Sequence, residues 1–558
     1  MTFIFVFFLL ICVCHAKFKK GVKMKATFYL FLMLSISSLF AQDSFIRSHV
    51  IPVPAIENTG MGEVVAGVDF DGDGRKEIYQ VNNMLDQGGA EEIPKIYKFE
   101  FNPDSGTWDS VWAATILDIP QQNSWGALTS GDWDNDGKSE IIWAPANWVS
   151  GTNLNPPRIL VFEAHGDGSE GLGVEIFGNS TPNCQWTITS DDNVDVRPFK
   201  IELADIDSDG AQELCFIDRS SSNVYRFGII SVSDVPDNGG ATEIWTLEHS
   251  GKDLGIDVST FYDMAIIDNA MYMIHNSGSV TIVKYSGGTW AAPLTLENKV
   301  PGGSWKTANA VDIDGDGSKE IVVGGWSSVP NNFFILKPDL FEILKSYNVA
   351  TLKPQIGESG RLNGGSVGDI DQDGKMDIVF GSRGATPVGA IVRIEYQGGD
   401  ISDSSSYTYQ TIDSLLVTSD GQRFDIVKIA NVDEDAELEV IYTDGNQINR
   451  VPLAILDLEP GVSVNEEIIP NKFYVSQNYP NPFNPSTTIQ FGLNEQTEVS
   501  LKIYDILGRE IATLIKNEVK SAGSYEVTFN ASVLASGTYI YKLTANNQTI
   551  SKKMNLIK

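Results

Sequence analysis

The sequence has few cysteines and histidines and lacks the patterns of the common catalytic sites. Its 558 residues include four cysteines and five histidines. No Gly-x-Ser-x-Gly nucleophile elbow and no phosphate-binding loop occurs. The histidines beyond the N-terminus show no metal-ligand spacing; they are His49, His165, His249 and His275. We therefore assign no catalytic residue and no organic-cofactor site from the sequence.

Long apolar runs are also absent after the N-terminus. Residues 3–13 are apolar without a preceding positive charge, whereas Met24 and Lys25 followed by the apolar residues 28–40 are typical of a signal peptide cleaved after Ala41. Neither run is long enough for a membrane span, and no later stretch reaches about 18 apolar residues. The sequence predicts a leader over residues 1–41, with Met24 as the preferred start, and an exported chain without a transmembrane span.

Two of the four cysteines, Cys12 and Cys14, lie in this predicted leader. The other two, Cys184 and Cys215, remain in the exported chain. An even pair in an exported protein is compatible with one disulfide or with two buried thiols. The sequence leaves both alternatives open.

Basic residues are scarce relative to acidic ones, with 40 Lys and Arg against 73 Asp and Glu and a net charge of −33. Such a charge argues against nucleic acid as a partner. A hydrophobic content of 42% and 51 glycines favour a globular, turn-rich all-β chain. The length allows two to four domains.

Many of the acidic residues belong to one repeated nonapeptide. In its clearest copy Asp312, Asp314 and Asp316 alternate, Gly317 permits a turn, and Glu320 supplies a fourth carboxylate. Hard oxygen ligands at this spacing suit Ca²⁺. The β-branched residues 321–323 follow at once, so the loop is predicted to join two strands rather than the two helices of an EF-hand.

The pattern recurs in five more places, which makes six predicted calcium loops. The last copy is the weakest, because Asn431 replaces an aspartate and Ala436 replaces the turn glycine. The five further copies are Asp69, Asp71, Asp73 with Glu77; Asp132, Asp134, Asp136 with Glu140; Asp205, Asp207, Asp209 with Glu213; Asp369, Asp371, Asp373 with Asp377; and Asn431, Asp433, Asp435 with Glu439.

The spacing of the copies predicts seven structural units. Successive loops begin 63, 73, 107, 57 and 62 residues apart, and the interval of 107 is about two units long. Within that interval, residues 262–274 read as the same hairpin without its metal loop. We therefore expect seven hairpin-based units.

These repeats resemble the FG-GAP and VCBS repeats of integrin-α-like propellers over about residues 55–460. The resemblance implies an all-β fold, a seven-bladed β-propeller over residues 42–460, with one structural calcium in each of six loops. It also implies that a carbonyl oxygen at the seventh loop position completes each ligand set. Those positions are Arg75, Lys138, Ala211, Ser318, Lys375 and Glu437.

The strand pattern makes two further predictions. Residues 174–177 read as the fourth strand of the second unit, whereas the seventh unit has no fourth strand of its own. Residues 45–53 form a strand without a partner, and a ring of sheets has no exposed edge only if its ends join. We predict that this strand completes the sheet containing Ile441.

The composition changes after a linker over residues 461–475. Residues 504–510 (YDILGRE), 534–539 (LASGTY) and 552–554 (KKM) resemble the type A sorting domain of the type IX secretion system. The resemblance covers residues 476–558 and implies a small Ig-like sandwich, a contact with the secretion machinery, and export through the periplasm and outer membrane of a Gram-negative bacterium. The alternative is an ordinary carbohydrate-binding or spacer sandwich.

The sequence favours a cell-surface or secreted binding or adhesion protein over an enzyme. The alternatives are a polysaccharide lyase or hydrolase on the same propeller and a structural surface component, since fold does not fix function. A glycan or a surface protein is the expected ligand. Four tryptophans next to polar segments are predicted either to stack on sugars or to pack between blades; they are Trp125, Trp148, Trp186 and Trp305.

Overall fold

The structure is a computed structural model that describes residues 44–557 with internal gaps. The predicted leader and most of the predicted linker lie outside the described residues. The gaps are 53, 55–60, 83–93, 117–121, 124–125, 146–147, 150–155, 190–193, 221–224, 255–259, 327–331, 357–359, 385–387, 417–423, 425, 434, 444–452, 460–472, 476–477, 479–480, 494–496, 521–522 and 546–547.

The chain divides into two compact units, Met1–Glu459 and Pro460–Lys558. The first unit is built almost entirely from strands, so the predicted all-β class is confirmed. Its strands are β1 (Phe45–Ile51), β2 (Met61–Val68), β3 (Glu77–Asn82), β4 (Lys95–Asn102), β5 (Thr107–Thr115), β6 (Gln122–Asn123), β7 (Ala127–Gly131), β8 (Glu140–Ala144), β9 (Trp148–Val149), β10 (Ile159–Glu163), β11 (Val174–Ile176), β12 (Asn179–Thr181), β13 (Cys184–Trp186), β14 (Pro198–Ala204), β15 (Glu213–Asp218), β16 (Phe227–Val232), β17 (Trp245–Ser250), β18 (Phe261–Ile267), β19 (Ala270–His275), β20 (Val280–Ser286), β21 (Thr289–Trp290), β22 (Leu294–Leu296), β23 (Asn309–Val311), β24 (Glu320–Gly324), β25 (Asn332–Asp339), β26 (Ile343–Thr351), β27 (Arg361–Gly368), β28 (Asp377–Arg383), β29 (Val388–Tyr396), β30 (Tyr407–Leu416), β31 (Ile426–Ala430), β32 (Glu439–Thr443) and β33 (Leu453–Leu458).

Helix is limited to three short segments in the described residues of this unit. They are α1 (Gly251–Leu254), α2 (Lys353–Ile356) and a 3₁₀ turn at Ser404–Ser406. No helix among the described residues is long and apolar enough to cross a membrane.

Most strands of this unit belong to seven antiparallel sheets. We number them in chain order: sheet 1 (β2 to β5), sheet 2 (β7, β8, β10, β13), sheet 3 (β14 to β17), sheet 4 (β18 to β22), sheet 5 (β23 to β26), sheet 6 (β27 to β30) and sheet 7 (β31, β32, β33, β1). The second strands of the sheets are almost fully buried; every residue of β8, for example, is buried. Such strands read as continuous apolar runs because both of their faces are covered.

The sheets follow one another in a closed order. The first strand of each sheet contacts the first strand of the next, from β2 and β7 onward, and β31 contacts β2. The hydrophobic core is correspondingly divided into seven clusters, each shared by two successive sheets. In the cluster that joins sheet 7 to sheet 1, Ile441 packs with Ile78 and Met61.

The N-terminal strand closes this order, as the sequence predicted. β1 pairs antiparallel with β33, from Phe45 opposite Leu458 to Ile51 opposite Leu453, in the sheet that contains Ile441. The Arg47 guanidinium also forms a bidentate ion pair with Asp413 of sheet 6, at 2.6 and 2.7 Å. The first strand of the chain thus anchors the last sheet of the unit.

Two other sequence predictions have opposite outcomes. The loopless hairpin is confirmed, because β18 and β19 pair around Asp268 and Asn269. The fourth strand of sheet 2 was wrongly placed at residues 174–177: β11 forms a separate hairpin with β12, and β13 takes the sheet position beside β10. Residues 175–177 are exposed, so their apolar members contribute little to any core.

The two cysteines among the described residues of the first unit, Cys184 and Cys215, are free and buried. Cys184 lies in the core cluster between sheets 2 and 3, whereas Cys215 lies in the cluster between sheets 3 and 4. The structure therefore contains the two buried thiols, and not the disulfide, of the two alternatives.

The second unit consists of two sheets around one core. Its strands pair in the orders β34-β35-β38 and β37-β36-β39-β40, and both sheets contribute to one hydrophobic cluster. The strands are β34 (Tyr474–Val475), β35 (Ser486–Leu493), β36 (Thr497–Asp505), β37 (Glu510–Lys520), β38 (Gly523–Asn530), β39 (Gly537–Ala545) and β40 (Gln548–Leu556).

A buried histidine in sheet 4 makes the first unit sensitive to acid. His275 is 2% exposed, bonds Thr281 at 2.7 Å and packs edge-on against Phe261. Burial lowers its pKa from 6.5 to about 4, although the charge of Glu297 opposes the shift. Because the folded state binds the proton less tightly than the unfolded state, stability is complete above the unfolded pKa and falls as the pH drops toward the folded pKa.

We expect this histidine to reduce the free energy of unfolding by about 2 kcal/mol between about pH 7 and pH 5. Urea unfolding of the wild type and of His275→Gln across this range measures the difference in slope. His165→Gln is the matched control, since His165 is exposed. Equal slopes for the wild type and His275→Gln would contradict the assignment.

Candidate metal centres

Each acidic loop joins the first two strands of its sheet. We number them loop 1 (69–77), loop 2 (132–140), loop 3 (205–213), loop 4 (312–320), loop 5 (369–377) and loop 6 (431–439). In loop 2 the Gly137 amide donates to Asp132 Oδ2 at 3.1 Å, and the Trp133 amide donates to Glu140 Oε2 at 2.6 Å. The ninth residue therefore returns to the start of the loop, as the spacing predicted.

The other loops repeat these two bonds. The ninth-position carboxylate accepts from the second-position amide in all six loops, at 2.6 to 3.3 Å. The first carboxylate accepts from the turn glycine in loops 1 to 5. The glycine pairs outside loop 2 are Gly74 with Asp69, Gly210 with Asp205, Gly317 with Asp312 and Gly374 with Asp369.

The backbone of the loops contains one requirement that the sequence reasoning missed. The turn glycines have positive φ, for example 94° at Gly137, but so does the fourth loop position. That position accepts several residue types, because single residues other than glycine tolerate the left-handed region at a modest cost. The fourth-position residues with positive φ are Gly72, Asn135, Ser208, Gly315 and Gln372.

Loop 6 has Ala436 where the other five loops have the turn glycine. Ala436 is not among the residues with positive φ, and Asn431 Nδ2 instead donates to the Asp435 carbonyl at 2.9 Å. Loop 6 thus differs from the other five at both substituted positions, in the φ of its sixth residue and in the bond made by its first side chain.

The backbone at the seventh loop position is fixed by the side chain at the fifth. Its amide donates to the fifth-position carboxylate at 2.8 to 3.0 Å in every loop. A metal contact of the seventh-position carbonyl remains a prediction. The residues concerned are Arg75, Lys138, Ala211, Ser318, Lys375 and Glu437.

Loop 2 shows the clearest cradle for a cation. Ligand atoms of its four acids lie within 4.8 Å of one another. Asp132 Oδ1 and Glu140 Oε1 are buried and have no hydrogen-bond partner. Burial, followed by the charges of Asp134, Glu163 and Asp132, raises the pKa of Glu140 to about 9. These carboxylates repel one another unless a cation lies between them.

Loops 3 and 6 share this electrostatic character. Asp205, Asp207 and Glu213 bring ligand atoms within 4.8 Å of one another, as Asp69, Asp71 and Asp73 of loop 1 also do. Burial raises the pKa of Glu213 to about 8 and that of Glu439 to about 8. In loop 6, Asn431 Oδ1 and Glu439 Oε1 are buried without a hydrogen-bond partner.

Basic side chains approach the acids of loops 1, 4 and 5. Lys98 Nζ lies 2.6 Å from Asp71 and 2.7 Å from Glu77. Lys337 Nζ lies 2.6 Å from Glu320, and the Arg393 guanidinium lies 2.5 Å from Asp377. The sequence did not reveal these residues because they come from third strands, 16 to 21 residues after the ninth loop position, and only the pairing of the strands brings them back to the loop.

The described tryptophans mostly pack in the core. Trp186 stacks on Trp245 at 5.3 Å between sheets 2 and 3, whereas Trp305 is 5% exposed and lies in another cluster. Of the two alternatives for the predicted tryptophans, Trp186 and Trp305 therefore follow packing between sheets. Trp125 lies outside the described residues, and only the backbone of Trp148 is described.

A different aromatic group assembles at the hairpin ends opposite the loops. Trp305 stacks on Trp326 at 4.5 Å, and three arginines lie over these rings. Arg219 is 5.1 Å from the Trp305 ring, Arg361 is 5.0 Å from Trp326, and Arg383 is 5.3 Å from Trp326. Arg361 and Arg383 face each other across β27 and β28, at the end remote from loop 5. We call Arg219, Trp305, Arg383, Trp326 and Arg361 the arginine–tryptophan cluster.

Comparison with known proteins assigns the second unit. Residues 477–557 match the family of secretion system C-terminal sorting domains. The predicted type IX sorting domain is thereby confirmed, and it indicates a secreted or cell-surface protein. It also implies an interaction with the type IX secretion system. No curated protein matches the chain.

Solved structures resemble the chain only remotely. A chain in a Saccharomyces cerevisiae complex of Dbp5, Nup159 and Gle1 has a TM-score of 0.35 at 10% identity, covering 75% of this chain and 98% of its own. The N-terminal domain of Nup159 has a TM-score of 0.37 at 8% identity, covering 75% and 96%. Saccharomyces cerevisiae Sqt1 has 0.35 at 8%, covering 75% and 100%.

Proposed function

We propose that the first unit is a seven-bladed β-propeller of the FG-GAP and VCBS type, stabilised by calcium. The seven sheets, their closed order of contacts and the shared core clusters support this arrangement. We further propose that the sorting unit is an Ig-like sandwich, since two sheets share one core. Together they form an exported scaffold with its delivery signal.

The loops fit calcium on the chemistry of their donors. Carboxylate and carbonyl oxygens are the ligands of hard divalent cations. In loop 2 the unpartnered oxygens of Asp132 and Glu140 lie within the same cradle. Bound calcium would supply positive charge to these acids. The chain's own residues hold the carboxylates in place through the amides of Trp133 and Gly137.

The arginine–tryptophan cluster supports a binding function at the cell surface. Arginine binds planar carboxylates in a bidentate way, and aromatic rings stack on sugars. The exposed Arg361 and the partly buried Trp326, with Arg361 5.0 Å from the Trp326 ring, bring both chemistries together in a protein whose net charge is −33. We propose that the protein is a secreted or surface-attached adhesion protein and that its ligand is a glycan carrying carboxylate groups.

Binding to carboxylated and neutral polysaccharides on a glycan array tests this function. We expect the wild type to retain carboxylated glycans, and Arg361→Ala and Trp326→Ala to lose most of this binding. Arg509→Ala is the matched control, because Arg509 is an exposed arginine of the sorting unit.

Two outcomes would contradict the binding proposal. Equal binding by Arg361→Ala, Trp326→Ala and the wild type would remove the cluster from the site. Release of unsaturated or reducing ends from the same polysaccharides would replace a binding protein with an enzyme.

A further inference from the structure

The six loops are of two kinds, distinguished by whether a basic residue of the third strand contacts the ninth loop position. In loops 1 and 5 a basic residue of the third strand lies opposite the eleventh position, counted from the start of the loop. Lys98 pairs with Tyr79, and Arg393 pairs with Val379. The same register position is aliphatic beside loops 2, 3 and 6. There Val161 pairs with Ile142, Ile229 with Cys215 and Ile455 with Ile441.

Lys98 is fixed inside loop 1. Its side chain is fully buried, and its ammonium contacts Asp71, Glu77 and Glu170 at 2.6 to 2.7 Å. Glu170 follows β10 of sheet 2, so the contact also joins two sheets. A buried ammonium needs such acceptors, because an unpaired buried charge is strongly destabilising.

Arg393 has the corresponding place in loop 5. Only 2% of its side chain is exposed. Its Nε lies 2.5 Å from Asp377 Oδ1 and its Nη2 lies 2.7 Å from Asp371 Oδ2. The guanidinium therefore contacts the third and ninth positions of the loop, as the ammonium of Lys98 does in loop 1.

In loop 4 the eleventh position, Val322, also faces an aliphatic residue, Ile335, and Lys337 reaches the loop from two residues further along that strand. The pair of Ile321 with Leu336 places it beside Glu320. Its Nζ lies 2.6 Å from Glu320 Oε1, 3.2 Å from Asp316 and 3.9 Å from Asp314. Its side chain is 27% exposed, which makes it the most accessible of the three internal cations.

No described lysine or arginine pairs with the ninth residue of loops 2, 3 or 6. Lys138 contacts loop 2 at its fifth-position acid, Asp136, at 3.2 Å, and its other acidic partners are Glu163 at 2.9 Å and Asp237. It leaves Glu140 Oε1, which is completely buried, without a partner. Glu439 of loop 6 is 1% exposed, and its Oε1 likewise has no hydrogen-bond partner.

We propose that loops 2, 3 and 6 bind calcium, whereas loops 1, 4 and 5 are neutralised by Lys98, Lys337 and Arg393 and bind none. This inference rests on the proposed calcium function. The physical reason is competition: a divalent cation on the same carboxylates would be repelled by the internal cation, or would have to displace it from its acceptors. The propeller then contains three calcium ions, and in the other three loops a basic side chain of the protein takes the place of the metal ion.

Calcium stoichiometry of the purified full chain tests the proposal. Equilibrium dialysis against radioactive calcium is expected to give three ions for each chain. Glu140→Gln is expected to bind one ion fewer, whereas the equivalent substitution Glu320→Gln in loop 4 is expected to leave the number unchanged. Both substitutions keep side-chain shape and remove one charge at the same loop position.

Removing an internal cation tests the same idea in the opposite direction. Lys337→Met is expected to gain one calcium ion, since its loop then resembles loop 2. Lys345→Met is the matched control, because Lys345 pairs with Asp339 on the same hairpin and not with a loop. Circular dichroism with and without calcium verifies that each variant is folded.

The outcomes separate this inference from the proposed function. Six ions in the wild type, or equal losses in Glu140→Gln and Glu320→Gln, would overturn the division while calcium binding stands. Three ions in both the wild type and a folded Lys337→Met would show that the internal cation is not what excludes the metal. No bound calcium at all would overturn both proposals.

Discussion

A chain that ends at residue 459 is expected to fold its first unit and to be absent from the cell surface. The sorting domain lies wholly in the second unit, and no acidic loop does. Surface proteolysis and antibody labelling of the native bacterium measure display, and fractionation locates the retained protein. We expect the truncated chain in the periplasm, with the same calcium stoichiometry as the full chain.

A reciprocal fusion is the control for this deletion. Residues 460–558 joined to an unrelated exported carrier are expected to bring the carrier to the surface. Normal display of the truncated chain would show that the export signal lies elsewhere.

Removal of calcium is expected to destabilise the first unit. If free calcium exceeds each dissociation constant tenfold, each bound site adds about 1.4 kcal/mol, or about 4 kcal/mol over three independent sites. For a cooperative unit of this size that free energy corresponds to a decrease in melting temperature of about 5 °C. The empty carboxylates of loop 2 would repel one another in addition.

Calorimetry in excess chelator, followed by return of calcium, measures this effect. Restored melting with calcium distinguishes metal removal from damage to the protein. The variant Glu140→Gln is expected to show a smaller response to the chelator than the wild type, since one site is already lost. An identical melting curve in calcium and in chelator would refute calcium stabilisation.

Local spacing made the loops and the closing strand predictable. Alternating aspartates bring their carboxylates together within one short turn, so no distant contact had to be known. The strand at residues 45–53 was predictable because an unpaired strand and an incomplete last sheet imply each other. Each inference needed only the order of strands along the chain.

The internal cations and the aromatic assembly were not predictable in this way. A lysine such as Lys98 within a strand is ordinarily solvated, and only the exact register with β3 directs it to Glu77. Trp305 and Trp326 precede and follow one hairpin, but their arginines come from three different strand ends. The fourth strand of sheet 2 was misplaced at residues 174–177 for a similar reason. The pattern of apolar residues does not show which of two nearby segments pairs with β10.

The pairing of β1 with β33 also orders events during biosynthesis. Phe45 is made near the beginning of the first unit, but its partner Leu458 is made at the very end. Such distant pairing is slow to form, so the earliest strand waits for its partner while all the other sheets are being completed. A finished chain in which β1 has not yet paired exposes the edge of β33, and the unpaired first strand of a second molecule fits the same edge. Crowded chains in transit are thus at risk of exchanging first strands before either molecule has closed.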